Sequence, residues 1–130
     1  MKQIVHNSKT IAIIIPREFS EMGIHFFTPN EYSQQLAYMK RPSGYKIPPH
    51  THNLVQREVF NTLETLFIRK GKVRVDFYAD DRQFIESYVL KTGDVLFLAS
   101  GGHGFEMLEE SEMIEVKQGP YLGDQDKVRF

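Results

Sequence analysis

Cysteine is absent from this 130-residue sequence. A chain without cysteine has no disulfides, no thiolate metal site and no thiol nucleophile, and it suits a reducing compartment. A large excess of either charge is also absent, because 16 basic residues stand against 17 acidic residues and the net charge is −1. Nucleic-acid binding generally requires a strongly basic surface, so we expect no nucleic-acid partner.

Long apolar runs are missing as well. The apolar stretch near the N-terminus, Ile11–Ile15, is far shorter than the roughly 20 residues that span a bilayer as a helix. It is also too short for the apolar part of a secretion signal, and no small-residue cleavage site follows it. These absences predict a cytoplasmic protein that has no membrane partner.

The pattern along the chain predicts strands almost throughout. Short β-branched or alternating stretches are separated by turn residues at fairly even spacing, which is typical of an all-β sandwich or barrel. The length favours a single domain. We predict nine or ten strands, among them Ile11–Ile15, Ile24–Thr28, Gln35–Lys40, Leu66–Ile68, Val73–Tyr78, Phe84–Leu90, Val95–Leu98, Phe105–Leu108 and Met113–Gln118.

Two local features refine this prediction. Gly71 lies between the apolar run Leu66–Ile68 and the alternating stretch Val73–Tyr78, a pattern that favours a β-hairpin with glycine in its turn. Only Pro16–Gly23 has the composition of a short helix, of at most about two turns. Little helix is therefore expected.

Two closely spaced histidines are the first candidate functional residues. His50 and His52 are separated by one residue, so on a strand both imidazoles face the same side. The preceding Pro48-Pro49 disfavours a helix, because proline drives the residue before it to extended backbone. We therefore expect both rings to point into one space.

Glu64 and His103 complete the candidate set. Glu64 is predicted on the strand face that carries Leu66 and Ile68, and a carboxylate among apolar side chains is costly unless it is paired or bound to a metal. His103 stands among glycines, which allow a sharp turn or close backbone approach. Three imidazoles and one carboxylate suit a divalent Fe, Mn, Ni, Zn, Co or Cu ion and leave coordination positions open for a substrate.

The spacing of these residues resembles the first motif of the cupin superfamily. In that motif five residues separate a glycine from a His-x-His pair, and six residues separate a glutamate from a second glycine. Gly44, His50 and His52 match its first half, and Glu64 with Gly71 matches its second half. The resemblance implies that His50, His52, Glu64 and His103 are metal ligands.

The second cupin motif is matched more loosely. Gly93 is followed by a strand and by the run Ala99–His103, in which alanine replaces the motif's proline and one residue fewer precedes the histidine. Met107 stands where the motif has asparagine.

The sequence departs from the first motif between its two halves. Eleven residues, Asn53–Leu63, separate His52 from Glu64, where the motif has three or four. The insertion contains Glu58, an alternative carboxylate ligand, although the spacing to the second glycine favours Glu64. Glu64 could instead form an ion pair with an arginine. We expect specificity for a ligand to arise from this insertion.

The resemblance also implies a fold and an assembly. The expected fold is all-β, a double-stranded β-helix (jelly-roll) barrel that forms one domain over residues 1–130, with its motif-bearing core at about 35–118 and a tail at 119–130. The chain looks like small one-domain bacterial cupins, some of which are associated with surface-sugar biosynthesis. Cupins commonly dimerise through outer strands, which implies a homodimer in which Ile11–Ile15 adds to a partner's sheet.

Three functional hypotheses follow. The leading one is a metal-dependent enzyme acting on a small polar molecule, such as a sugar or an organic acid, with Arg57, Tyr38 and Gln118 as candidate substrate contacts. The first alternative is a non-catalytic module that binds a small carbohydrate or metabolite. The second is a metal-free sugar epimerase or isomerase in which a histidine is the general base beside a carboxylate, with a tyrosine acid.

Overall fold

A computed structural model describes all residues from Met1 to Phe130 and contains ten strands and one short 3₁₀ helix. The all-β prediction is therefore confirmed. The elements are β1 Lys2–His6, β2 Lys9–Ile15, β3 Gly23–Phe26, β4 Ala37–Lys40, β5 Glu64–Lys70, β6 Lys72–Tyr78, β7 Phe84–Lys91, β8 Val95–Leu98, β9 Gly102–Met107, β10 Glu112–Lys117 and the 3₁₀ helix Gly123–Asp126. No helix has the length and apolar character needed to cross a membrane.

Contacts divide the chain into two compact units, which are described separately. The first unit combines Met1–Phe19 with Asn61–Phe130, and the second comprises Ser20–Phe60. The first unit holds two antiparallel sheets, one with strand order β1-β2-β8-β5-β10 and one with order β7-β6-β9. The second unit holds the antiparallel pair β3-β4. No sheet closes on itself, so the pairing shows a β-rich fold and stops short of a closed barrel.

The core of the first unit forms where its two sheets pack together. In β6 the side chains of Val73, Val75 and Phe77 are buried, whereas the alternate positions are only partly so, as the period of two predicts. They join a single buried cluster with Leu66 and Ile68 of β5. The cluster also includes residues of β1 and β2, which lie before the motif-bearing region.

The predicted hairpin at Gly71 is wrong. β5 pairs with β8 and β10, whereas β6 pairs with β7 and β9, so the chain passes from one sheet to the other between these strands. A single residue links β5 to β6, and the favoured short hairpin loop has two. Gly71 has a φ of +95°, and a Cβ there would lie 2.6 Å from the carbonyl oxygen of Glu110. Glycine is thus needed at a corner rather than in a hairpin turn.

Three other expectations also differ from the structure. Pro16–Gly23 forms turns and the start of β3 rather than a helix. β1 was not predicted, although it covers one edge of β2. Because β2 is paired with β8 on its other edge, it has no edge left for a partner, and the prediction that Ile11–Ile15 extends a second copy's sheet is wrong.

The second unit contains little regular structure. After β4, residues 41–60 form no helix or strand, and every one of them is exposed. His50 and His52 lie in this segment, so the prediction that they occupy a strand is wrong. Consecutive prolines favour extended backbone, but a strand exists only where a second strand supplies hydrogen bonds.

Candidate functional site

Glu64 and His103 lie side by side in the first unit. The His103 Nε2 atom is 3.4 Å from Glu64 Oε2. Glu64 is the first residue of β5, and His103 is the second residue of β9. Because β5 and β9 belong to different sheets, this contact bridges the two sheets, and residues distant in the chain meet at one point.

Both side chains are sheltered by apolar neighbours. Glu64 shares its strand face with the buried Leu66 and Ile68, as predicted, and its side chain is 14% exposed. The His103 side chain is 28% exposed, and its ring centroid lies 5.5 Å from that of Phe105, which packs against the core. The pair therefore sits at the boundary between the core and solvent.

The surroundings of Glu64 favour its ionised form. The hydrogen bond with His103 lowers the pKa of the Glu64 carboxyl below its ordinary value, partial burial opposes this, and the nearby positive charges of Lys117 and Lys127 lower it further. The Lys117 Nζ atom is 4.0 Å from Glu64 Oε1. At neutral pH Glu64 is consequently an anion with one imidazole and one ammonium group beside it.

Lys117 was not identified from the sequence. It is placed by the pairing of β10 with β5, in which Lys117 stands opposite Glu64. Its ammonium also lies 4.9 Å from the centre of the Tyr121 ring, and Lys127 approaches the same ring at 5.8 Å. No local sequence signal could have found it, because strand register across the sheet decides its position.

Gln118 fixes the backbone that leads into Glu64. Its side-chain oxygen accepts a hydrogen bond of 2.7 Å from the backbone amide of Leu63. The backbone amide of Gln118 in turn donates a hydrogen bond of 3.3 Å to the backbone carbonyl of Leu63. Gln118 was predicted to contact substrate, and the structure gives its carboxamide a positioning role next to the site.

His50 and His52 lie next to each other in the second unit. Their ring centroids are 5.3 Å apart with an edge-on angle of 79°, and His50 Nδ1 is 2.9 Å from the carbonyl oxygen of Pro48. The two imidazoles are therefore adjacent, as the spacing predicted, although on irregular backbone. Glu58, the alternative carboxylate, lies in the same exposed segment.

Arg57 and Tyr38 also belong to the second unit. Tyr38 lies on β4 opposite His25. Arg57 lines an open cavity of about 610 Å³ together with Phe26, Asn30, Tyr32, Ser33 and Gln35. This cavity combines one guanidinium with amide, hydroxyl and aromatic groups, the kinds of group that orient a small polar ligand.

The Glu64–His103 pair has a separation that fits two donors to one metal ion. Two donors that each lie about 2.1 Å from one ion stand about 3.0–3.4 Å apart in octahedral or tetrahedral geometry, and the 3.4 Å separation in the Glu64–His103 pair meets this condition. No group of three or more His, Cys, Asp or Glu side chains stands together as a complete metal site. The four-residue ligand set therefore stays a prediction.

Comparison with known proteins found no matching family model, curated protein or solved structure.

Proposed function

We propose that this protein is a cupin-like metal-binding protein that acts on a small polar molecule, such as a sugar or an organic acid. Its ligands would be His50, His52, Glu64 and His103, and its fold would be a double-stranded β-helix. The observation that carries the proposal is the approach of His103 to Glu64 from a different sheet, at a separation compatible with one shared ion.

The residues around the pair have distinct roles in this proposal. Glu64 supplies an ionised oxygen, kept so by its neighbours, and Gln118 holds the backbone from which Glu64 projects. Apolar residues exclude water from one side of the pair. A divalent transition ion bound there would supply Lewis acidity or redox chemistry to a ligand in its open positions.

Elemental analysis of protein prepared without a histidine tag tests this proposal. After reconstitution with Fe, Mn, Ni, Co or Zn, we expect about one ion per chain in the natural protein and less than about a tenth in His50→Ala, Glu64→Gln and His103→Ala. His25→Ala and Glu58→Gln are matched controls that should load normally. Failure of the natural protein to take up any of these ions would contradict the proposal.

A second candidate function is favoured by the same contact. Without a metal, a histidine oriented by a carboxylate is a general base able to remove a proton next to a carbonyl group. In this reading Glu64 orients His103, and a sugar epimerisation or isomerisation is the expected reaction class. It predicts activity that resists chelators, is lost in His103→Gln and exchanges a substrate hydrogen with deuterated solvent. Loss of activity on chelation would leave only the metal-dependent function.

A further inference from the structure

The open cavity of about 610 Å³ in the second unit is lined only by residues of that unit. Its volume lies within the range of about 300–1,000 Å³ that small-molecule sites occupy. The cavity shares no residue with the proposed metal ligands, and no acidic side chain lines it. The lining residues are Phe26, Asn30, Tyr32, Ser33, Gln35 and Arg57. The proposed metal function therefore leaves this cavity unused.

One wall of the cavity is the connection between β3 and β4, which internal hydrogen bonds hold in shape. The buried Thr28 donates from Oγ1 to Gln35 Oε1 at 2.9 Å and accepts from the Leu36 backbone amide at 3.0 Å. Gln35 Nε2 donates to the carbonyl oxygens of Pro29 and Tyr32, each at 2.9 Å. A loop that is ordered before a ligand arrives lowers the entropy cost of binding.

The guanidinium of Arg57 is the one charged group in the cavity. Its hydrogen bond to the Val55 carbonyl oxygen is long, at 3.4 Å, and it forms no ion pair. A guanidinium has five N–H donors, so most of them are available to a ligand. Its planar fork binds the oxygens of a carboxylate or a phosphate in pairs. The ligand that fits this group is therefore an anion.

The other lining groups indicate what the rest of the ligand carries. Asn30 and Ser33 are exposed, and no hydrogen bond within the chain involves their side chains. A carboxamide and a hydroxyl can both donate and accept, which suits the hydroxyl groups of a ligand. Phe26 is 61% exposed and offers an apolar surface to a short carbon skeleton, as in most small-molecule sites.

We propose that this cavity binds a small organic anion that carries hydroxyl groups, with Arg57 holding its carboxylate or phosphate and Asn30 and Ser33 contacting its hydroxyls. A neutral molecule of the same size gives the guanidinium no charged partner and binds more weakly, because charge-assisted hydrogen bonds are the stronger ones. The site requires no metal, so it goes beyond the proposed function and stands independently of it.

Titration of ¹⁵N-labelled full-length protein, followed by NMR in the presence of a chelator, tests the proposal. The probes are glucuronate, glucose 6-phosphate and glucose, which share one hydroxylated ring and differ in the acidic group. We expect the backbone amides of residues 28–36 and the Arg57 side chain to shift with at least one anion, at an affinity at least about tenfold above that of glucose. The two anions show whether a carboxylate or a phosphate fits better. Absence of these shifts with both anions, or equal affinity for glucose, would overturn the proposal.

Three exposed-site variants make the test specific to the cavity. Arg57→Gln should weaken anion binding by about tenfold or more, and Arg57→Lys should restore only part, because lysine keeps the charge without the planar fork. Arg41→Gln is the matched control and should bind normally, since Arg41 stacks on Tyr45 at 4.6 Å and does not line the cavity. An equal loss in Arg41→Gln would show general charge attraction and refute the site. Because the protein is metal-free throughout, failure of metal uptake leaves this test unaffected.

Discussion

Two pairs of candidate ligands differ sharply in how their surroundings hold them. Glu64 and His103 lie on strands of two sheets that share one buried core, whereas His50 and His52 lie in a segment that is exposed throughout. Both pairs match the motif spacing, but only Glu64 and His103 are held in place by the packed core of their unit. The comparison shows that motif spacing can nominate candidate residues without specifying the structure that holds each of them.

The largest expected difference between the two regions is in stability. Phe77 is fully buried in the core and Phe60 is 89% exposed. Phe77→Ala should lower the free energy of unfolding by about 3–5 kcal/mol, because it removes a buried ring and leaves a cavity. Phe60→Ala should change it by less than about 0.5 kcal/mol. Urea denaturation monitored by circular dichroism measures both, and equal losses would erase the distinction between the regions.

Two glycines with positive φ angles sharpen the same comparison. Gly101 has a φ of +69°, and a Cβ there would collide with the backbone oxygen of Tyr78; Gly44 has a φ of +84° with nothing near a Cβ. Gly101→Ala should therefore cost about 2–4 kcal/mol, from strain and overlap together, and Gly44→Ala only about 1–2 kcal/mol from strain. Thermal unfolding of both variants checks the order, and a larger loss for Gly44→Ala would contradict it.

Lys117 should weaken metal binding at Glu64. Its ammonium lies 4.0 Å from the carboxylate and repels a divalent ion. Lys117→Met should raise metal affinity by about three- to tenfold, equivalent to roughly 1 kcal/mol of lost repulsion. Lys46→Met, a change of the same kind in the exposed segment 41–60, should have a smaller effect. Competition with a chromogenic chelator measures both affinities, and a weaker-binding Lys117→Met would indicate that the lysine supports the site.

The smallest expected effect concerns Asp76, a partly exposed carboxylate on β6. Ser87 donates a 2.5 Å hydrogen bond to Asp76, which lowers the pKa of that carboxyl, and Arg74 lowers it further. A lowered folded-state pKa stabilises the fold above the unfolded value, and this contribution disappears as the pH falls through the folded value. Asp76→Asn should thus cost less than about 1 kcal/mol at pH 7, and the loss should shrink as the pH falls below 3.8, the ordinary pKa of the aspartate carboxyl.

Denaturation of the natural protein and of Asp76→Asn at pH 7 and at acidic pH tests this sign. Glu58→Gln in the exposed segment 41–60 is the matched control and should have no measurable effect at either pH. A deficit of Asp76→Asn that grows on acidification would show that the sign is wrong.

Much of the fold could be predicted from local pattern alone. The alternation in β6 correctly separated the buried Val73, Val75 and Phe77 from their outward neighbours. What failed required knowledge of which strands pair. The hairpin at Gly71 was wrong because alternation in β5 and β6 says nothing about whether they are neighbours. β1 was missed because its burial depends on its pairing with β2.

The candidate site could likewise be predicted only as far as local sequence pattern reaches, without knowledge of which strands pair. The apolar face around Glu64 was read correctly from the sequence, and the residue proved to have the charged neighbour that such a position requires. Lys117 and the positioning role of Gln118 depend on the register between β10 and β5, which no local pattern specifies. For His50 and His52, the spacing correctly predicted that the two rings are adjacent. It did not predict their irregular backbone, because a strand requires a second strand to pair with it and residues 41–60 have none.

X-ray absorption spectroscopy of the Co²⁺- or Zn²⁺-loaded protein tests the central claim most directly, because it counts the imidazoles bound to the ion. We expect three imidazoles and one carboxylate oxygen on a single ion, with one imidazole lost in His103→Ala and two lost in His50→Ala/His52→Ala wherever those variants retain metal at high concentration. A spectrum with one imidazole or none in the natural protein would contradict it.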